Sequence, residues 1–182
     1  MPEGTTDATI LIATSFQALN RVIQDKKDTM VCDCTIVILF AAFFIEANLN
    51  HIIDQLDKHQ EMLDFLYGKK RHGEKYPGLQ DKLGWFYNQY IEKSKVLNKT
   101  QMRENGINKK LVEKFPGFEK IYQFRNNISH GKVDLSMTNR ETAEELRQKA
   151  KNIVHQLFDI AAAETGYTIS RDITYKNAVS LQ

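Results

Sequence analysis

From Asp33 to Leu66 no glycine or proline interrupts the chain, and Ile38, Ala42, Ile45, Leu49, Ile52, Ile53 and Leu56 recur at helical spacing. Ile36, Val37 and Ile38 by themselves would suit a strand, but a pattern sustained over so many turns fits only a helix. The same scarcity holds throughout: nine glycines and three prolines in 182 residues fall well below the roughly 12% of average proteins, so turns are few and elements long. The expected fold class is therefore all-α, an up-and-down bundle of four to five helices in a single domain over 1–182. A hydrophobic content of 42% is enough for a core in a chain that buries about 70% of its unfolded surface.

Four further helices are expected around that run. From Asp7 to about Lys27, Ile10, Ala13, Leu19, Val22 and Ile23 mark a first amphipathic helix, with residues 1–6 disordered before it. Leu79, Leu83, Phe86, Tyr87, Tyr90 and Ile91 share one face of another, with Trp85 beside it. Asn98 to Asn108 reads as a polar loop turning at Asn105-Gly106, and Leu111 to Phe115 as one short helical turn. Pro116 is placed to open a helix with the stripe Phe118, Ile121, Tyr122, Arg125 and Ile128, closed by Gly131. Thr138 to Glu141 matches a capping box, and the helix it starts runs from Ala143 through Leu146, Ile153, Leu157 and Ala161 to Gly166. Residues 167–182 show no decisive period and read as an irregular tail.

Composition excludes several classes. A net charge of +2 is neither a histone-like polycation nor an acidic tail. Cys32 and Cys34 are the only cysteines, and their spacing suits neither a redox pair nor a zinc site. Met1 to Asp7 lacks the basic residues of a secretory or transit signal, and the apolar run Thr35 to Ile45 falls short of the ~20 residues of a membrane span. A cytoplasmic protein without a membrane anchor is expected. His51, His59, His72 and His155 have no metal-ligand spacing and read as surface residues, so no metal or other cofactor is expected.

The densest chemistry lies in Phe124-Arg125-Asn126-Asn127-Ile128-Ser129-His130-Gly131, at an expected helix C-terminus. Arginine offers a permanent charge and a planar fork for phosphate oxygens, and histidine exchanges protons near neutrality. At about 100° per residue, Asn126 and His130 fall within ~40° of each other and Arg125 lies about 140° from His130. Unwinding at Gly131 would bring the ring back toward the guanidinium. Arg125 on an apolar stripe also reads as a structural cation, with Glu46 its natural partner. For His130 alone, a helix C-cap is the plain alternative.

Arg125, polar Asn126, three residues and His130 resemble the Arg-polar-x-x-x-His signature of the HEPN superfamily (higher eukaryote and prokaryote nucleotide-binding domains), which lies late in an α-helical bundle. The motif covers six residues, while the resemblance in architecture covers most of the chain. It implies a usually dimeric, metal-independent endoribonuclease of the kind found among toxins, phage-defence systems and RNA-processing factors. On that reading RNA is the substrate and a homodimer the working unit. A cognate antitoxin or nucleotidyltransferase is a further expected partner.

The expected reaction is attack of the RNA 2′-hydroxyl on the adjacent phosphate, leaving a 2′,3′-cyclic phosphate and a 5′-hydroxyl. His130 would transfer protons, Arg125 would hold the phosphate, and Asn126 would orient the ring or a phosphate oxygen. Glu46 and Ser129 are expected in support. Lys69, Lys70 and Arg71, in a loop between Tyr67 and Gly78, read either as a solvated surface or as a polyanion-steering patch for RNA binding. The cluster Trp85-Phe86-Tyr87-Asn88-Gln89-Tyr90 reads as core, with base stacking the alternative. The competing function is a non-catalytic HEPN-like module that binds a nucleotide or a protein partner.

Overall fold

The computed structural model describes residues 31–68, 76–93, 96, 98–132, 136 and 138–166. Over these the chain is all-helical, with no strand among the described residues. The elements are α1 (Val31–Gln55), α2 (His59–Tyr67), α3 (Leu79–Tyr87) continued by a π-helical turn (Asn88–Glu92), α4 (Lys99–Glu104), α5 (Ile107–Lys114), α6 (Phe118–Ser129) and α7 (Arg140–Thr165). The expected helix over 7–27, residues 1–6, the loop cations Lys69, Lys70 and Arg71, His72 and the tail 167–182 lie outside the described residues.

The long apolar run is helical but does not continue to Leu66. It stops at Asp57, which takes a left-handed φ of 53°, while Asp57 N–H donates to Asp54 O and Lys58 N–H to Ile53 O, both at 3.0 Å. These crossed bonds satisfy the last carbonyls of α1 in the way a glycine usually allows. Aspartate tolerates this backbone region better than most residues, so an acidic residue ends the helix without any Gly or Pro to signal it.

Helix α1 packs most extensively on α7 and next on α6. Ile38, Ile45, Leu49 and Ile52 from α1 meet Leu146, Ile153, Leu157 and Ala161 from α7 in one buried cluster. Trp85 and Phe86 are fully buried in it, which supports their reading as core and leaves neither ring open to a base. Over Asp33–Gln55 α1 is long and apolar enough to cross a membrane, and 61% of its most apolar window is buried within the fold.

Three segments differ from their sequence reading. The expected loop 98–108 holds helix α4, whose first turn is fastened by the Asn98 side chain accepting from Gln101 N–H at 3.0 Å, although Asn105-Gly106 does form the turn after it. Helix α6 opens after Gly117 rather than at Pro116, because Gly117 takes a φ of 91° beside the Lys149 side chain of α7. Helix α7 is capped by Asn139, whose side chain accepts from Thr142 N–H at 2.9 Å. Thr138 is buried instead, so the amide one residue later takes the cap. The short helices bring the count above the expected four to five.

Helices α6 and α7 are antiparallel. Gly117 meets Lys149, and Lys120 Nζ lies 3.6 Å from Glu145 Oε2. Advancing along α6 toward His130 therefore means moving back along α7 toward Arg140.

Candidate nucleic-acid-cleaving site

Arg125, Asn126, Ser129 and His130 occupy the last turn of α6. His130 is its C-cap residue, with N–H donating to Asn126 O at 3.0 Å and Asn127 O at 3.1 Å. The next two residues close the end: Gly131 N–H donates to Ile128 O at 2.9 Å and Lys132 N–H to Asn127 O at 2.7 Å. Gly131 has a φ of 70°, the left-handed value that this pair of bonds requires. Gly131 thus fastens the last turn rather than unwinding it, and His130 leaves the helix as an exposed side chain.

Arg125 is half-buried, and its Nη1 donates to Asn126 Oδ1 at 3.2 Å. Ser129 Oγ donates to Arg125 O at 2.9 Å, a backbone tie that keeps the turn helical. The expected Arg125–Glu46 pair does not form. Glu46 Oε1 accepts from Lys82 Nζ of α3 at 2.8 Å, with the two side chains 20% and 11% exposed. Helix α3 presents Lys82 to α1 on the same face as Leu79, Leu83 and Phe86, a spacing that already marks position 82 as inward. The guanidinium of Arg125 is thereby left without a carboxylate among the described residues and bonds instead to the neighbouring Asn126 amide.

Asn126 serves Arg125 rather than the imidazole, and neither Arg125 nor Asn126 hydrogen-bonds the His130 ring. The ring makes no hydrogen bond or ion pair among the described residues. Because Gly131 keeps the turn wound, Arg125 and His130 stay about 140° apart around the axis, and among the described residues none of the cation, amide and imidazole at this helix end is paired with a protein anion, which leaves all three open to a phosphate.

The remaining candidates separate cleanly. His59 and His155 are exposed as expected, whereas His51 is half-buried with its ring 6.4 Å from that of Phe158. Cys34 is fully buried, and burial, followed by the Asp33 charge, pushes its thiol above the ordinary value, which disfavours a nucleophilic thiolate. No group of three or more His, Cys, Asp or Glu side chains is arranged to hold a metal ion among the described residues.

One feature of this face has no counterpart in the motif. A groove of about 540 Å³ lies just before the motif on α6, where Tyr122 and Gln123 face Asn108, Lys109 and Glu113 of α5. Sequence periodicity marks Tyr122 as core, and the short α5 carries too few residues to show that its polar side lines a cleft. Comparisons with protein-family models, with curated proteins and with solved structures found no significant match for this chain.

Proposed function

We propose that the chain is a metal-independent endoribonuclease with a HEPN-like helical arrangement, acting through Arg125, Asn126 and His130. The observation that carries this reading is the gathering of an amide-held arginine and an exposed histidine on one helix turn. Arg125 holds a non-bridging phosphate oxygen and stabilises the charge that develops there. The imidazole of His130 takes the proton from the 2′-hydroxyl, whose oxygen bonds to phosphorus as the P–O5′ bond breaks. The 5′-oxygen departs with a proton, leaving a 2′,3′-cyclic phosphate on one fragment and a 5′-hydroxyl on the other. Tyr76 is 88% exposed, and an exposed aromatic ring offers a stacking surface to single-stranded RNA.

The working unit in this reading is a homodimer. Ile36 is 37% exposed and Leu39, Phe40 and Phe43 are half-buried, so these spacings of three and four make an apolar stripe on α1 that the described residues leave partly uncovered. A symmetric interface would supply a second Arg125 and His130, and so an acid for the departing oxygen opposite the base. As a toxin or phage-defence effector, such an enzyme would act in the cytoplasm under a cognate antitoxin or nucleotidyltransferase.

The second reading is a non-catalytic module that binds a nucleotide or protein partner at the same turn. It is favoured by the absence of any hydrogen bond from Arg125 or Asn126 to the His130 ring. Incubating single-stranded RNA with the purified protein in EDTA decides between them. The ribonuclease reading expects fragments ending in cyclic phosphate, and intact RNA at high protein concentration would leave the binding module.

A further inference from the structure

The groove beside the motif is bounded by α6, α5 and the start of α3, and its residues include Gln80, Asn108, Lys109, Glu113, Glu119 and Tyr122. Its direction on α6 is fixed by helical geometry. Glu119 and Asn126 are seven residues apart and so lie within about 20° of one another around the axis, while Tyr122 and His130 each sit about 40° to either side of Asn126. One face therefore carries Glu119, Tyr122, Asn126 and His130 in file. Tyr122 precedes Asn126 by about 6 Å along the axis, so the groove lies about one helical turn before the candidate site.

Its lining is suited to a base rather than to a phosphate. The half-buried Tyr122 ring is stacked on the buried Phe118 ring, with centroids 5.8 Å apart and planes inclined by 21°. That support gives it a fixed π-face at low entropic cost. Among the charged groups at the rim, Glu113 and Glu119 outnumber Lys109, a balance that repels the RNA backbone. Gln123 Nε2 already donates to Glu119 Oε1 at 3.0 Å. The side chains of Gln80, Asn108, Lys109 and Glu113 make no hydrogen bond or ion pair among the described residues, so Glu113 offers both carboxylate oxygens and Asn108 and Lys109 offer donors.

We propose that this groove is a guanine-binding subsite, seating the base next to the phosphate held at Arg125 and His130. Guanine presents two adjacent N–H donors, at N1 and N2, that match the two oxygens of one carboxylate, and beside them the O6 acceptor that an ammonium or amide N–H satisfies. Glu113 takes the paired donors, Lys109 or Asn108 meets O6, and Tyr122 stacks on the ring. Adenine and cytosine each offer a single amino group on that edge and uracil a single N–H, so none of them fills both carboxylate oxygens. The position next to a cleaved phosphate rests on the ribonuclease reading, whereas the guanine preference does not.

The test uses labelled 2′-O-methyl hexauridylates, which lack the attacking hydroxyl, with one internal residue replaced in turn by guanine, adenine or cytosine. Fluorescence anisotropy should show the guanine oligomer binding about tenfold more tightly than the other three, the discrimination of one bidentate contact. Glu113→Gln, an exposed and conservative change, should reduce that ratio to near unity with an unchanged circular dichroism spectrum, and Tyr122→Ala should weaken all four oligomers. Equal affinities in the native protein, or undiminished guanine preference in Glu113→Gln, would overturn the subsite. RNA cleavage without any guanine preference would remove the subsite and leave the ribonuclease standing. Guanine preference without cleavage would do the reverse.

Discussion

Lys82 Nζ of α3 lies 2.8 Å from Glu46 Oε1 of α1, and both side chains are largely withdrawn from water. The pair fastens the third helix to the long central one and occupies the carboxylate that would otherwise suit Arg125. Lys82→Met alone should destabilise the fold by about 3 kcal/mol, since it strands a mostly buried carboxylate, whereas Lys82→Met combined with Glu46→Leu should recover most of that loss. Urea unfolding of the two variants checks the difference. A double variant no better than the single one would mean that packing around Lys82, not charge, sets the cost.

The contrast between Glu46 and Arg125 shows how far the sequence could be read. Periodicity places Glu46, Lys82 and Arg125 all on inward-leaning positions, but it carries no information on which helices become neighbours, so it cannot choose between two cations for one carboxylate. The all-helical class and the cap at Gly131 were legible because each depends on residues close in sequence. The stop at Asp57 was not, because an aspartate in a left-handed cap looks like any polar helix residue. The groove before the motif was equally hidden, being made where α5 and α6 meet across a turn.

Gly131→Ala should cost roughly 1 to 2 kcal/mol, the penalty for forcing a side-chain-bearing residue into the left-handed region. Nothing within 4 Å would meet the added Cβ, so the loss is backbone strain alone, and Gly131→Asn should cost less. At Gly117 the same change adds a collision, since a Cβ there would lie 2.3 Å from Lys149 Cδ. Thermal melts should therefore rank Gly117→Ala below Gly131→Ala. The opposite order would show that Lys149 moves aside freely.

Acid should destabilise the fold through two surface carboxylates. A hydrogen bond from Lys110, with Lys110 charge and Tyr87 hydroxyl adding to it, holds Glu92 below its ordinary value against a smaller effect of burial. A hydrogen bond from Lys149, with the Lys120 charge behind it, does the same for Glu145. Because the folded values are lowered, their stabilisation is present above the ordinary glutamate value of about 4.3 and is lost as pH falls through the lower folded values. Lys110→Ala should shift the midpoint of acid unfolding to higher pH, as followed by circular dichroism. An unmoved midpoint would show that the Glu92–Lys110 pair contributes nothing in solution.

The apolar stripe on α1 makes the oligomeric state testable. Phe40 and Phe43 meet edge to face, with centroids 5.9 Å apart, at the middle of the stripe. Phe40→Ser should convert a dimer to a monomer in sedimentation velocity runs and lower specific activity more steeply on dilution. A native protein that sediments as a monomer at full specific activity would exclude a site shared between two copies.

The most direct test of the central claim is the single-turnover cleavage rate of single-stranded RNA in EDTA, with the fragment ends identified, for the native protein and for His130→Ala and Arg125→Ala. Native cleavage should leave 2′,3′-cyclic phosphate and 5′-hydroxyl ends, and His130→Ala should be slower by roughly 10² to 10⁴-fold. Arg125→Ala should lose at least as much, with melting temperatures close to native because neither side chain is fully buried. A His130→Ala protein that cleaves at the native rate would contradict the assignment.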